Sequence, residues 1–186
     1  MRTREAVLDA AAELFARKGF PAVTIQDVAE LTGMTKGAVY FHFANKEALA
    51  LAVSGEFYAR LEVAVRGEPS EGRSPLEGVS VIMNKVAQAF QGDTIVQAGA
   101  RLQVERSFVD TALPEPYVGF IEVLVALFRA AVEAGELPAG ADPDAHARVL
   151  ASAFFGAQHI SWVLNDRRDL DAWVHQILEV ALPDAS

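Results

Sequence analysis

The sequence predicts an all-α fold of about nine helices, in which a long fourth helix joins a small N-terminal helix-turn-helix head to a larger helical body. Apolar residues recur at helical spacing along the chain, and no segment alternates apolar and polar residues as a strand would. The stretch 67–75, GEPSEGRSP, is rich in Gly, Pro, Ser and Glu and interrupts this pattern. We assign residues 1–48 to the head and residues 49–186 to the body.

Four predicted helices make up the head and its connection to the body. The first is amphipathic and ends at Gly19. Two short helices follow, for which Thr24 and Thr35 are suitable N-caps, and Gly33 ends the first of them. The fourth begins at Lys46 and continues to about residue 66. Helix, glycine turn and helix in this order indicate a helix-turn-helix, whose second helix enters the major groove of DNA.

The residue types of the second short helix suit contact with DNA. Lys36 could reach a guanine edge or a phosphate, Gly37 has no side chain to hold the helix away from the bases, and Tyr40 shares the face of Lys36. Val39, Phe41 and Phe43 are expected to hold the helices together. An ordinary helical hairpin with solvated lysines is the alternative. The other candidate contacts are Arg2, Arg4, Thr24, Thr35, His42 and Lys46.

Charge is divided unevenly between the two predicted regions. The chain carries a net charge of −9, yet its first 50 residues are neutral on balance, so the body supplies all of the excess. A head with few cations gains little from indiscriminate counterion release. The sequence therefore predicts a sequence-specific DNA binder.

Several other functions are excluded or disfavoured by composition. The chain has no cysteine, which excludes disulfides, thiolate metal sites and cysteine nucleophiles. The four histidines lack metal-ligand spacing, and neither a nucleophile elbow nor a glycine-rich phosphate loop is present. We therefore predict no enzyme activity, no cofactor and no metal. The N-terminus lacks a signal-peptide core and no apolar run reaches the roughly 20 residues of a membrane span, so we expect a cytoplasmic protein.

The body pattern ends in two helices that suit self-association. The helix predicted at 142–164 is apolar almost all round, so one face can pack on the body while the other needs a second cover. A second copy of the chain, with the last helix beside it, would give a four-helix interface, whereas full burial in a monomer is the alternative. The helices predicted after the break are 75–90, 94–106, 116–134, 142–164 and 170–182.

The stretch TIQDVAELTGMTKGAVYFHFANKEAL resembles the DNA-binding signature of the tetracycline-repressor (TetR) family. In that family a threonine opens the second helix, a T-K-G-A-x-Y segment forms the recognition helix, an aromatic-His-Phe run follows, and Lys-Glu-x-Leu opens the fourth helix. The resemblance implies a homodimeric transcriptional regulator that binds double-stranded operator DNA, where it would be associated with the nucleoid.

Three body segments, DTIVQAGARLQVE, PEPYVGF and GAQHISWVLNDRRDL, resemble the γ-butyrolactone-receptor branch of that family. Members of this branch are autoregulators of antibiotic production, which implies a small apolar effector. The chain departs from the branch at Phe120, where a tryptophan associated with the ligand pocket is usual. Phenylalanine keeps an apolar wall but loses the indole donor, and Trp162 could supply a ring from another side. The effector class stays open between a butyrolactone, a butenolide or furan relative, and an antibiotic or its intermediate.

An effector pocket should be mostly apolar, with a few fixed polar groups. Gln158 is the strongest polar candidate, because a buried amide in an apolar helix needs partners, although it could instead pair across a dimer. For each apolar candidate, plain core packing is the alternative. The candidates are Met83, Phe90, Leu102, Gln103, Phe120, Phe154, Gln158, Ser161 and Trp162.

These patterns together predict a repressor that a small apolar ligand, such as a γ-butyrolactone-type autoregulator, releases from its operator. Release requires that the ligand prefer a second conformation in which the two heads no longer fit the DNA. A TetR-type regulator that responds to an antibiotic or another hydrophobic compound is the first alternative. A helix-turn-helix dimer with no small-molecule ligand is the second.

Overall fold

The computed structural model describes residues 2–65 and 73–182, and within those ranges it is all-helical, with nine α-helices and no strand. This confirms the predicted fold class. The 67–75 break lies mostly outside the described residues. A short 3-10 turn, Arg106–Phe108, follows the sixth helix. The helices are α1 Arg2–Lys18, α2 Ile25–Thr32, α3 Lys36–His42, α4 Lys46–Val65, α5 Pro75–Gly92, α6 Thr94–Val104, α7 Val118–Glu133, α8 Pro143–Asn165 and α9 Leu170–Ala181.

The described chain forms two compact units. Unit 1 comprises residues 2–61 and 93–116, and unit 2 comprises 62–65, 73–92 and 117–182. Unit 1 therefore includes α6 as well as α1, α2, α3 and most of α4. The sequence did not indicate that α6 packs with the N-terminal helices, because its residues are distant from them along the chain.

The core of unit 1 is built around α1, which packs against both α2 and α6. Val7 and Phe15 of α1 are fully buried, as is Leu102 of α6. Gly99 allows α6 to approach α4 closely, because a Cβ at that position would lie 2.3 Å from the Cβ of Phe57. The N-terminal helices thus share one hydrophobic core with α6.

Unit 2 consists of α5, α7, α8 and α9 packed against one another. Asp142 caps α8 by accepting hydrogen bonds from the amides of Asp144 and Ala145, and Pro143 occupies its first turn, where no amide hydrogen is needed. Asp166 and Arg167 end α8 with φ angles of 49° and 63°. Two successive left-handed residues turn the chain sharply, so α9 can pack back along α8.

Candidate nucleic-acid interface and effector residues

The start of α2 is held by a capping box. The Thr24 hydroxyl accepts a hydrogen bond from the amide of Asp27, and the Asp27 carboxylate accepts from the Thr24 amide at 2.8 Å. Two hydrogen bonds lower the pKa of Asp27: the larger effect comes from the Thr24 hydroxyl and the smaller from Lys18. Thr24, a predicted DNA contact, therefore stabilises the N-terminus of α2 and remains exposed to solvent.

The turn between α2 and α3 depends on one glycine. Gly33 has φ 67°, and its amide donates to carbonyls of the last turn of α2. Two residues later, Thr35 caps α3 by accepting a hydrogen bond from the amide of Ala38 at 3.2 Å. The helix-turn-helix predicted from the sequence is therefore present, with both threonines at the predicted caps.

One side of α3 is buried and the other is open to solvent. Val39 is fully buried, whereas Lys36, Gly37, Tyr40 and Phe41 are all exposed. The expectation that Phe41 holds the helices together is wrong, because 85% of its surface is exposed. Helical spacing explains this result: residue 41 lies one turn after residue 37, on the side opposite residue 39.

Two basic residues outside α3 contact aromatic rings of unit 1. The guanidinium of Arg4 lies 4.7 Å from the centre of the Phe43 ring. Lys46 donates to the carbonyl of Phe20 at 2.9 Å, and its ammonium lies 4.1 Å from the centre of that ring. Both predicted contacts therefore have positions set by unit 1 itself. His42 is half-buried, and nothing is described of the Arg2 side chain.

An ion pair at the C-terminal end of α6 holds the turn between α1 and α2. Arg101 donates to Glu105 at 2.8 Å and to the carbonyls of Ala16 and Arg17 at 3.0 and 3.1 Å. Glu105 accepts from the amide of Phe20 at 2.6 Å with its other oxygen. The pair thus satisfies carbonyls at the end of α1 and an amide just beyond it. Sequence analysis did not identify this pair, because only the fold brings α6 to α1.

Three predicted pocket walls lie in a cluster of aromatic rings in unit 2. Phe154 packs edge-on against Phe90, with ring centres 5.4 Å apart. The centre of the Phe120 ring lies 6.0 Å from that of Phe154. The rings of Tyr117 and Phe155, which were not among the predicted pocket walls, belong to the same cluster. Their centres are 4.3 Å apart. Met83 is also fully buried in unit 2. The aromatic rings therefore contact one another and form one continuous apolar region.

The polar candidates on α8 are engaged in a buried network at the α8–α9 turn. The side-chain oxygen of Gln158 accepts a hydrogen bond from Arg167 at 3.2 Å, and the Ser161 hydroxyl donates to Asp169. That hydrogen bond lowers the pKa of Asp169. The guanidinium of Arg167 also lies 4.9 Å from the centre of the Trp162 ring. These side chains stabilise the end of α8.

Gln103 differs from the other polar candidates. It lies on α6 in unit 1, next to the predicted wall Leu102, and only 5% of its surface is exposed. Neither its side-chain nitrogen nor its side-chain oxygen has a hydrogen-bond partner. Burying an amide without a partner costs about 1–3 kcal/mol, so Gln103 is a side chain that a polar ligand atom would stabilise.

Two features are absent from the described part of the chain. It contains no cluster of three or more histidine, aspartate or glutamate side chains that could hold a metal ion. None of the helices in 2–65 and 73–182 is long and apolar enough to cross a membrane.

Known proteins share both the helix-turn-helix and the whole fold. The family model described as bacterial regulatory proteins, tetR family, matches residues 7–53. TylP, a TetR regulator from Streptomyces fradiae, is 33% identical, with a TM-score of 0.69, over 97% of this chain and 86% of its own. The chain belongs to the TetR family. TetR-family proteins are transcriptional regulators, which confirms the prediction that the chain is not an enzyme.

Two further relatives match nearly the whole of this TetR-family chain. A solved structure described as the molecular basis for control of antibiotic production by bacterial hormones is 47% identical, with a TM-score of 0.87, over 97% of this chain and 96% of that one. The A-factor receptor protein of Streptomyces griseus is 30% identical over 98% of this chain. The chain spans 65% of the length of that receptor. A solved structure described as a gamma-butyrolactone receptor is 25% identical, with a TM-score of 0.76, over 96% of this chain and 97% of that one, which confirms the resemblance to these receptors as similarity.

Proposed function

We propose that this TetR-family chain is a sequence-specific transcriptional repressor that binds operator DNA as a homodimer and leaves it when a small apolar effector binds. The observation that carries the proposal is the solvent face of α3. It presents Lys36, Gly37 and Tyr40 together on a helix that Thr35 caps and that Val39 anchors to the core. This is the arrangement by which a recognition helix contacts base edges and phosphates.

Gly37 supports an external partner for this face. Its φ is not positive, and a Cβ added there would have Thr35 Oγ1, 3.9 Å away, as its nearest neighbour. Nothing in the protein's own packing therefore requires glycine, which costs about 1 kcal/mol relative to alanine inside a helix. A duplex that approaches the helix backbone would require it.

The dimer that we propose forms through α8 and α9. Val149, Ile160 and Val163 of α8 are 64%, 42% and 65% exposed, and helical spacing places them along one stripe. Gly156 lies on the same stripe, and a Cβ there would meet nothing within 4 Å. An uncovered aliphatic stripe with a glycine near its middle allows close approach of the same helix from a second copy.

Within each subunit, we assign DNA binding to residues 1–48, and effector binding and dimerisation to residues 49–186. The effector would be a γ-butyrolactone-like molecule with one polar group that pairs with the Gln103 amide of unit 1. The aromatic walls Phe90, Phe120 and Phe154 of unit 2 are a separate candidate site for an apolar ligand. Gln158 and Ser161 are weaker candidates than the sequence suggested, because their hydrogen bonds already stabilise the α8–α9 turn.

Helix α6 offers a physical route from the effector to DNA. Gln103 lies between Arg101 and Glu105, the pair that holds the α1–α2 turn. A ligand that shifts α6 to satisfy Gln103 would therefore shift that turn and the helices that follow it. Reversing a 99:1 preference for the DNA-binding state requires about 5.5 kcal/mol of differential ligand affinity.

A gel shift on the intergenic DNA upstream of the protein's own gene tests DNA recognition. The wild-type protein should give a discrete complex, and both Lys36→Ala and Tyr40→Phe should weaken it by about tenfold each, the value of one polar DNA contact. Both variants should remain dimeric and should still bind the effector. An unchanged gel shift with both variants would show that α3 is not the recognition helix.

Adding an organic extract of a culture of the source organism to the same complex tests whether an effector releases the DNA. Extract should dissociate the wild-type complex but not the complex of Gln103→Leu. Because leucine removes an unpartnered amide, that variant should be at least as thermally stable as the wild type. Gln158→Leu is the matched control, since it should lower stability and keep the response. Release by a purified antibiotic but not by extract would favour the alternative effector, and no release by either would favour a regulator without a small-molecule ligand.

A further inference from the structure

The recognition helix exposes an aromatic side chain that the contacts proposed above leave unused. We propose that Phe41 is a specificity-determining residue, and that its ring reads the 5-methyl groups of thymine in the major groove. This inference rests on the proposed function, because it requires that α3 bind DNA. It adds an apolar readout to the polar contacts of Lys36 and Tyr40.

The position of the ring supports this role. Phe41 follows Gly37 by four residues and Tyr40 by one, so it belongs to the solvent face of α3. It is 85% exposed, against 50% for Tyr40. Its neighbour Phe43 is 4% exposed, so the packing of the helix end does not depend on Phe41. Any duplex that contacts Gly37 and Tyr40 would also approach this ring.

The chemistry of the ring limits what it can recognise. A phenyl group neither donates nor accepts a conventional hydrogen bond, so it cannot pair with phosphate oxygens or with the polar atoms of base edges. The 5-methyl group of thymine is the large apolar group that a base pair presents in the major groove, and phenylalanine is among the side chains that contact it. Burying the ring against a methyl group removes apolar surface of both partners from water.

The ring is also partly held in place before DNA arrives. It meets the His42 ring edge-on, with centres 5.2 Å apart and planes at 81°. His42 is half-buried, so it gives the phenyl ring a fixed neighbour on one side. A ring already restricted in this way loses less rotamer entropy when it contacts DNA.

The test is a binding cycle on the protein's own upstream operator, made either with thymine or with deoxyuridine, which lacks only the methyl group. The wild-type protein should bind the deoxyuridine operator about fourfold more weakly for each methyl group contacted, the cost expected for one buried methyl. Single replacements should place the sensitive thymines at equivalent positions of the two half-sites. Phe41→Ala should bind the thymine operator more weakly and should not distinguish it from the deoxyuridine operator.

Two further variants keep the test interpretable. Phe108→Ala removes another exposed phenyl ring, 65% exposed in the 3-10 turn of unit 1, and should behave as the wild type. Phe41→Leu keeps an apolar side chain and should retain part of the preference for thymine. Melting curves check that all variants fold, and the wild-type comparison of the two operators needs no variant.

Two results would overturn the inference while the proposed function stands: equal wild-type affinity for the two operators, or a full methyl preference in Phe41→Ala. The first would mean that no methyl group is read, and the second that another side chain reads it. Failure of the wild-type protein to bind any upstream DNA would instead count against the proposed function itself.

Discussion

Helices α3 and α8 both leave apolar side chains in solvent, but the neighbours of those side chains differ. On α3 the exposed Phe41 lies beside Lys36 and Tyr40, so the surface mixes a ring, a cation and a hydroxyl. On α8 the exposed Val149, Ile160 and Val163 are aliphatic. A mixed surface matches the phosphates, polar base edges and methyl groups of DNA, whereas an aliphatic stripe matches another aliphatic stripe. Exposed apolar area alone would not have separated the two roles.

The proposed difference between the α3 and α8 surfaces would be wrong if α8 does not form the dimer. Val163→Asp would place an unpaired charge in the interface, at a cost of about 3–5 kcal/mol, so dimerisation and operator affinity should fall by at least about 100-fold. Sedimentation and a gel shift measure both. Val63→Asp puts the same charge on an exposed valine of α4 and should leave the dimer intact. A dimeric Val163→Asp protein would place the interface elsewhere.

A smaller effect should show that the position of α3 affects operator binding without affecting dimerisation through α8. In Glu105→Gln an amide nitrogen would replace a carboxylate oxygen that accepts from Arg101 or Phe20, so one donor would face another. We expect unit 1 to lose about 1.5–3 kcal/mol of stability, and operator binding to weaken while the dimer persists. Thermal melts and gel shifts check this. Glu13→Gln, which breaks the exposed pair with Arg17, should change neither measurement.

The smallest expected effect is that of Gly37→Ala, which tests whether DNA contacts the exposed face of α3. Gly37→Ala should raise helix stability by up to about 1 kcal/mol, because the new methyl meets only Thr35 in the free protein. It should nevertheless weaken operator binding by about tenfold, since the methyl would hold the helix away from the bases and weaken a base contact. A more stable protein with full operator affinity would show that DNA does not approach this backbone.

Local patterns predicted α2, α3 and their turn well. Thr24, Gly33 and Thr35 act through contacts within three or four residues, so the sequence contains both partners of each interaction. Phe41 was misassigned because an apolar residue type was given more weight than its helical position. Residue 41 is on the side opposite Val39, so strict use of the helical period would have placed it in solvent.

Partners that depend on tertiary packing were beyond the reach of sequence reasoning. Gln158 stood out as a polar residue in an apolar helix, but Arg167 as its partner depends on two left-handed residues at the end of α8. Gln103 stood out less than Gln158 in sequence, yet of the two only Gln103 is buried with neither amide atom bonded. Whether a buried amide is satisfied depends on which helix faces it, and that is a property of the packed molecule.

By itself the sequence determined the all-α class, the capped helix-turn-helix and the family resemblance, because helical period, caps and motifs are short-range properties of the chain. Tertiary structure alone decided that α6 joins the N-terminal helices, that Arg101 and Glu105 hold the α1–α2 turn, and that Gln103 lacks a partner. The physical reason is distance along the chain: about 85 residues separate the members of those contacts. No periodicity or motif records pairings at that separation.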